Sequence, residues 1–303
     1  MIPVLLSVIL ITFFLAHLAP GSPWDREGRQ ISPETIHALN VKYGLDKPIW
    51  TQFGLYVWNV LHFDFGVSYQ HPGQSVGELI LMSWPYTLKL GAFAFVCILF
   101  FGISLGVIAA LRQNTKVDYS AVALATIGAS VPSFVVGIFL IIVLSNTLYK
   151  ATQGTFYLPT GGYPQDFLHM IMPVATLSFL PIAFLTRLTR SSTLDTLRQD
   201  YVRTAWAKGL SERMVVIGHV LKNSLIPVVT AAGPLFAALI TGSLIVETVF
   251  QVPGIGRSYV QAVEARDYPM ILGTTVLYAA LVAVLNLIVD VLYVFIDPRV
   301  RLT

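Results

Sequence analysis

Hydrophobic and polar positions along this chain alternate on a long scale, with six apolar stretches separated by polar gaps. The stretches run from Ile2 to Leu18, from about Pro85 to Leu111, and from Tyr119 to Leu144. The other three run from Phe167 to Leu188, from Leu225 to Phe250, and from Met270 to Ile296. A helix needs about 20 mainly apolar residues to cross a bilayer. Backbone groups in lipid must be satisfied within their own segment, so each stretch is predicted as a transmembrane helix. The pattern therefore predicts an all-α integral membrane protein with six transmembrane helices. Pro173 and Pro181 in the fourth span, and Pro227 and Pro234 in the fifth, predict kinks and not breaks. The first stretch lacks a basic leading region and a small-x-small cleavage site, so it reads as a retained span and not a signal peptide. It is short and no basic residue precedes it, which leaves room for a start upstream of Met1.

The gaps carry their own signals. Residues 1–19 form the first span, 20–84 an extracytoplasmic helical region, and 85–303 a core of five spans that includes a cytoplasmic loop at 189–224. Within the outer region, Ser32 reads as an N-cap before Pro33 and Glu34, and Gly44 as a stop. A second helix is expected from Pro48, with Ile49, Phe53, Val57, Val60 and Leu61 on one face. Trp50, Tyr56 and Trp58 suit its lying at the outer interface. Basic residues are in excess on the side that holds Arg112, Lys116, the run from Arg187 to Lys222, and Arg299 and Arg301. That excess marks the cytoplasmic side and places both termini there.

Composition agrees, with 55% hydrophobic and 12% charged residues against about 25% charged in a typical soluble domain. A formal net charge of +3 does not indicate a nucleic-acid partner. The one cysteine, Cys97, lies in an apolar run without metal-ligand company. There is no Gly-x-x-x-x-Gly-Lys-Ser/Thr loop and no His-Glu-x-x-His, so neither a nucleotide site nor a metal site is expected on this chain. Gly102-Ile-Ser-Leu-Gly106 matches the G-x-S-x-G nucleophile pattern around Ser104. It lies inside an apolar helix, where small residues four apart serve close helix packing, and no catalytic residue is assigned. Four ionisable groups within the spans stand out: Lys89, Glu247, Arg187 and Asp290, the last with Asn286 one turn before it. Interface anchoring and helix pairing account for most of them. Asp290 is the candidate for a water-filled path, and a lone ion-coupled transporter would rest on it.

The cytoplasmic loop is different in kind. Leu194, Leu197, Tyr201 and Ala205 recur at three and four residues, with Arg198, Arg203 and Lys208 around them and Gly209 placed to end the helix. A second amphipathic stretch follows from Glu212 to Leu221. Periodicity alone leaves two readings open. One is an interfacial helix held by anionic lipid. The other is a helix that seats in a groove on a soluble partner.

Ordered segments over nearly the full length carry a resemblance. They include Leu18-Ala-Pro-Gly-Ser-Pro23, Phe63-Asp-Phe-Gly66, Val131-Pro-Ser-Phe134, Arg203-Thr-Ala-Trp-Ala-Lys-Gly-Leu-Ser211, Asn223-Ser-Leu-Ile-Pro227, Pro253-Gly-Ile-Gly-Arg257 and Arg266-Asp-Tyr-Pro269. In these the chain resembles the inner-membrane permease subunits of ATP-binding-cassette importers for oligopeptides and dipeptides, with glutathione importers as further relatives. The resemblance implies the type I importer permease fold in a bacterial inner membrane. It implies a second homologous permease, two cytoplasmic ATPase subunits that hold ATP and Mg, an extracytoplasmic binding protein and a peptide substrate. No cofactor is expected on this chain. A coupling helix facing the ATPase would take in Asp200, Tyr201, Arg203, Thr204, Ala205, Lys208 and Gly209. The general importer signature opens this loop with Glu-Ala-Ala; here Arg203-Thr-Ala205 stands instead, as in the peptide-importer version, and Trp206 departs even from that. The missing glutamate means that its contact is not carried over. For the translocation path the candidates are Ser130, Pro132, Ser133 and Asp290, with tight helix packing as the other reading of the first three.

Overall fold

A computed structural model describes residues 2–18, 21–24, 32–162 and 167–296, with side chains described as far as residue 288. The described residues are helical almost throughout; one antiparallel bridge, Val67 with Ser75, is the only strand pairing among them. In chain order the helices are α1 (Ile2–Leu18), α2 (Pro33–Tyr43), α3 (Ile49–Leu61), α4 (Val76–Leu111), α5 (Lys116–Ser130), α6 (Ser133–Leu140), α7 (Leu148–Ala151) and α8 (Phe167–Leu197). There follow α9 (Asp200–Ala207), α10 (Glu212–Val215), α11 (Leu221–Ser224), α12 (Ile226–Thr241), α13 (Leu244–Val249), α14 (Ile255–Glu264) and α15 (Tyr268–Ile296). Wide π-helical turns join α6 to α7 (Ile141–Thr147) and α10 to α11 (Val216–Val220). Five stretches are long and apolar enough to span a bilayer: Val76–Leu111, Ser133–Ala151, Phe167–Leu197, Ile226–Val249 and Tyr268–Ile288. The apolar α1 is the sixth, shorter candidate.

Residues Met1–Pro85 and Pro253–Val284 form one compact unit, and Tyr86–Val252 with Leu285–Thr303 a second. In the first unit the expected caps are in place. The Ser32 side chain accepts from Thr35 N at 3.3 Å, and Gly44 closes α2 in the left-handed conformation. On α3, Ile49, Phe53, Val57 and Val60 are half-buried as expected. Leu61 is exposed instead, and Tyr56 joins the inward face. One core gathers Ala16, Trp24, Tyr69, Val76, Ile80, Ile255, Tyr268 and Ile271. Buried Asp267 knots the chain entry to α15. Its carboxylate accepts from the Ser68 hydroxyl, from Tyr69 N at 3.2 Å and from Met270 N at 3.4 Å.

Three span boundaries differ from the sequence reading. The helix expected from Pro85 begins at Val76, because Ser75 and Glu78 cap it reciprocally, each side chain accepting from the other's N–H at 3.2 Å. Pro85 is carried inside the helix. The stretch Tyr119–Leu144, expected as one helix, is broken into α5 and α6. Val131 is extended (φ −97, ψ 123) because the following Pro132 disfavours helical backbone before it. The fifth stretch is also broken, at Gly242 and not at its prolines; Pro227 sits in the first helical turn of α12.

At Gly242 the backbone (φ 104, ψ 157) occupies a region essentially closed to other residues. Ser243 then caps α13 by accepting from Val246 N at 3.2 Å. Buried Glu247 accepts from Ser243 N at 3.3 Å and from the Thr87 hydroxyl at 3.0 Å. Gly242→Ala is expected to cost about 1–3 kcal/mol, read as a lowered thermal midpoint of the purified protein in detergent. An unchanged midpoint would mean that the break does not need glycine.

Within the second unit, α4 packs closely on α8 and α12. A Cβ on Gly91 would lie 2.6 Å from Leu239 O, one on Gly102 2.8 Å from Leu185 Cβ, and one on Gly106 2.5 Å from Thr189 Cβ. Gly102 and Gly106 therefore hold a helix contact, and the G-x-S-x-G match lies inside an uninterrupted helix with no strand-to-helix turn.

Candidate coupling surface

The α8 helix does not stop at Leu188, where its apolar run thins. It continues to Leu197, so the first residues of the expected loop extend the span itself. Arg198 and Gln199 turn the chain. Gln199 is extended (φ −71, ψ 146), and α9 starts at Asp200. The break divides the periodic face predicted from Leu194 to Ala205. Ala205 is buried as expected, but its companion is Val202 and not Tyr201. Val202 and Ala205 pack with Val215 and Val220, with Leu197 and Leu210 half-buried beside them. Tyr201 is 40% exposed, and its hydroxyl accepts from Asn223 Nδ2 at 2.7 Å. The ring is thus tethered toward α11.

At its far end, α9 closes on Lys208, and Gly209 follows with φ +75 and its N–H bonded to Trp206 O at 2.9 Å. The expected stop is therefore real. A Cβ on Gly209 would meet nothing within 4 Å, so conformation, not space, reserves the position for glycine.

The remaining α9 residues face outward. Asp200, Arg203, Thr204, Trp206 and Lys208 are exposed. The Thr204 hydroxyl turns back to Asp200 O at 2.9 Å, and Arg203 lies 3.8 Å from the Asp200 carboxylate. Both partners of that pair are solvated, so both charges stay available to another surface. Trp206, 44% exposed, is the residue that periodicity passed over. An exposed tryptophan on a two-turn polar helix was the available signal.

Above this surface, α8 is tied to α5. Arg190 grips Asp118 in a two-point pair, Nε to Oδ1 at 2.5 Å and Nη2 to Oδ2 at 2.7 Å. Asn114 N donates to the same carboxylate at 3.0 Å. Asp118 is buried, and the Arg190 guanidinium holds its carboxyl below the usual carboxylate range. Arg190 is seven residues before the end of α8, about 10 Å along the axis from the turn into α9. Periodicity could not find this pair because neither partner belongs to an apolar stripe.

The path candidates sit at the break between α5 and α6. Ser130 and Pro132 are exposed and Ser133 is half-buried where α6 begins. The Ser130 hydroxyl donates to Thr126 O at 2.9 Å. Asp290 belongs to α15 but lies outside the residues whose side chains are described. Among the described residues, no three His, Cys, Asp or Glu side chains are grouped to hold a metal ion.

A multi-pass helical membrane protein with a short helix presented at the foot of a long span is the class that this geometry defines. Residues 102–302 match the family described as binding-protein-dependent transport system inner membrane component, and the chain belongs to that family. It is 43% identical over 301 residues to the oligopeptide transport system permease protein OppB of Escherichia coli (strain K12), covering 99% of this chain and 96% of that protein. It is 39% identical over 298 residues to the dipeptide transport system permease protein DppB of Bacillus subtilis (strain 168), covering 98% and 94%. Its fold is similar to a chain of the inward-facing MetNI methionine ABC transporter, with a TM-score of 0.57, 17% identity, and coverage of 72% of this chain and 96% of that one.

Proposed function

We propose that this chain is the permease subunit of an ATP-driven oligopeptide or dipeptide importer. It forms half of the translocation path, and a second, homologous permease completes it. Two cytoplasmic ATPase subunits hold the ATP and Mg, and an extracytoplasmic binding protein delivers the peptide. Both termini lie on the cytoplasmic side with the α9 surface. The near full-length likeness to peptide permeases supports the substrate class.

The observation that carries the coupling role is α9 itself. Val202 and Ala205 anchor it by packing and Tyr201 by its bond from Asn223, while Asp200, Arg203, Trp206 and Lys208 are presented outward. Arg203 and Lys208 suit carboxylates on a partner, and Trp206 suits a pocket between them. Movement of α9 passes into α8 through the short turn at Arg198 and Gln199. The Asp118–Arg190 pair then carries it to α5, which ends at the Ser130–Ser133 break beside the path. A chain driven by partner ATPases needs such a mechanical input.

Gly209→Val tests this. A β-branched residue at φ +75 costs about 1–2 kcal/mol in the closing turn. The expected result is normal insertion and continued ATP hydrolysis by the purified assembly, with peptide uptake in proteoliposomes reduced about tenfold. Uptake that survives the substitution at the wild-type rate would place the coupling elsewhere.

A further inference from the structure

The first unit contains a cavity of about 320 Å³ that peptide translocation does not account for. Its walls come from the end of α1, the end of α2, one face of α3, the loop at 64–69 and the start of α15. Tyr43, Tyr56 and Tyr69 line it, together with Lys42, Lys47 and Asp64. The two lysines form no ion pair among the described residues, and Lys42 lies 5.3 Å from the centre of the Tyr43 ring. The Tyr56 hydroxyl is fully buried with no hydrogen-bond partner among the described residues. Asp64 spends one oxygen on Gly66 N at 2.9 Å and keeps the other.

The outer side of α3 fixes the depth of this cavity. Trp50, Trp58 and Leu61 are 63–68% exposed there. Phe63, 87% exposed, holds a left-handed backbone conformation (φ 61) just beyond the helix end. Aromatic side chains displayed in this way on an amphipathic helix mark the headgroup level of a bilayer. Phe13, Leu55 and Leu272 are among the apolar residues of the lining.

The geometry points to a binding site for one zwitterionic phospholipid headgroup of the ethanolamine type. Lys42 and Lys47 meet the phosphate, with the Tyr56 hydroxyl as a further donor. Asp64 and the tyrosine faces meet the ammonium. The acyl chains leave over the apolar part of the lining. This inference does not depend on the transported substrate.

The test uses the full-length protein in detergent, delipidated and then titrated with phosphatidylethanolamine, phosphatidylglycerol, free phosphoethanolamine or inorganic phosphate. Retained lipid is counted by native mass spectrometry. One phosphatidylethanolamine per chain is expected to be retained, with occupancy reduced about tenfold in Lys42→Gln/Lys47→Gln. Tyr56→Phe should weaken it less, and Asp64→Asn should erase the preference for ethanolamine over glycerol headgroups. Both lysines are exposed, and an unchanged thermal midpoint would confirm that the double variant is folded. Equal retention by wild type and the lysine variant would overturn the site. So would competition by inorganic phosphate as strong as by the diacyl lipid, since that would describe a free-phosphate site.

Discussion

Gly106→Leu is expected to prevent accumulation of folded protein in the membrane, while Ser104→Ala two residues away leaves it unchanged. The reason is geometric. A single carbon added to Gly106 would lie 2.5 Å from Thr189 Cβ and 2.8 Å from Thr186 O. Neither of these contacts is the far end of a flexible side chain, so α4 and α8 must separate. Overpacking in a well-filled contact costs about 1–3 kcal/mol for small additions, and a leucine adds three carbons beyond the first. Separation would also open the neighbouring core of Ala94, Ile98, Leu185 and Val228. Even Gly106→Ala should lower the thermal midpoint measurably. Ser104 is only half-buried on the same helix, and its replacement by alanine adds no atom to the contact. A Gly106→Leu protein that accumulates at wild-type levels with an unchanged midpoint would show that this helix pair is loosely packed. Loss of a peptidase activity in Ser104→Ala would revive the nucleophile reading of the same five residues.

The long apolar runs made the helical membrane class readable, because hydropathy over 20 residues is a strong signal. Ser32, Gly44 and Gly209 marked ends correctly, since each solves a local backbone problem. The boundaries that failed were set by effects a run average cannot see. The Ser75–Glu78 capping box starts α4 a full nine residues before the apolar run suggests. Pro132 acts on Val131 before it and breaks a run that hydropathy reads as one helix. Gly242 breaks a run that is apolar on both sides. On the candidate coupling surface, charge and the stop glycine were legible. The buried Val202 was not, because the turn at Gln199 resets the helical phase between Leu197 and α9. Nor does periodicity announce that residues 253–284 join the first unit, which depends on long-range partners such as Asp267 with Ser68.

Asp118→Ala is expected to destabilise the protein by about 2–3 kcal/mol. That is somewhat less than the 3–5 kcal/mol of a fully buried pair, because Arg190 keeps a quarter of its side chain exposed. The loss has two parts: an unpaired guanidinium in α8, and an Asn114 N–H without its acceptor. Asp118→Asn should recover the second part and not the first. The pair also predicts a pH dependence with a definite sign. The folded carboxyl sits below its ordinary range, so its contribution to stability is complete above the unfolded carboxylate pKa. That contribution is lost as pH falls through the depressed folded value. Thermal midpoints of wild type and Asp118→Asn, measured from neutral to acidic pH, should therefore converge at the acidic end. Parallel curves would mean that the pair contributes nothing to stability. A reversed pair, Asp118→Arg with Arg190→Asp, separates stability from transmission. Restored stability with uptake still impaired would show that the Asn114 contact matters to movement. Restoration of both would show that any ionic link between α5 and α8 suffices for uptake.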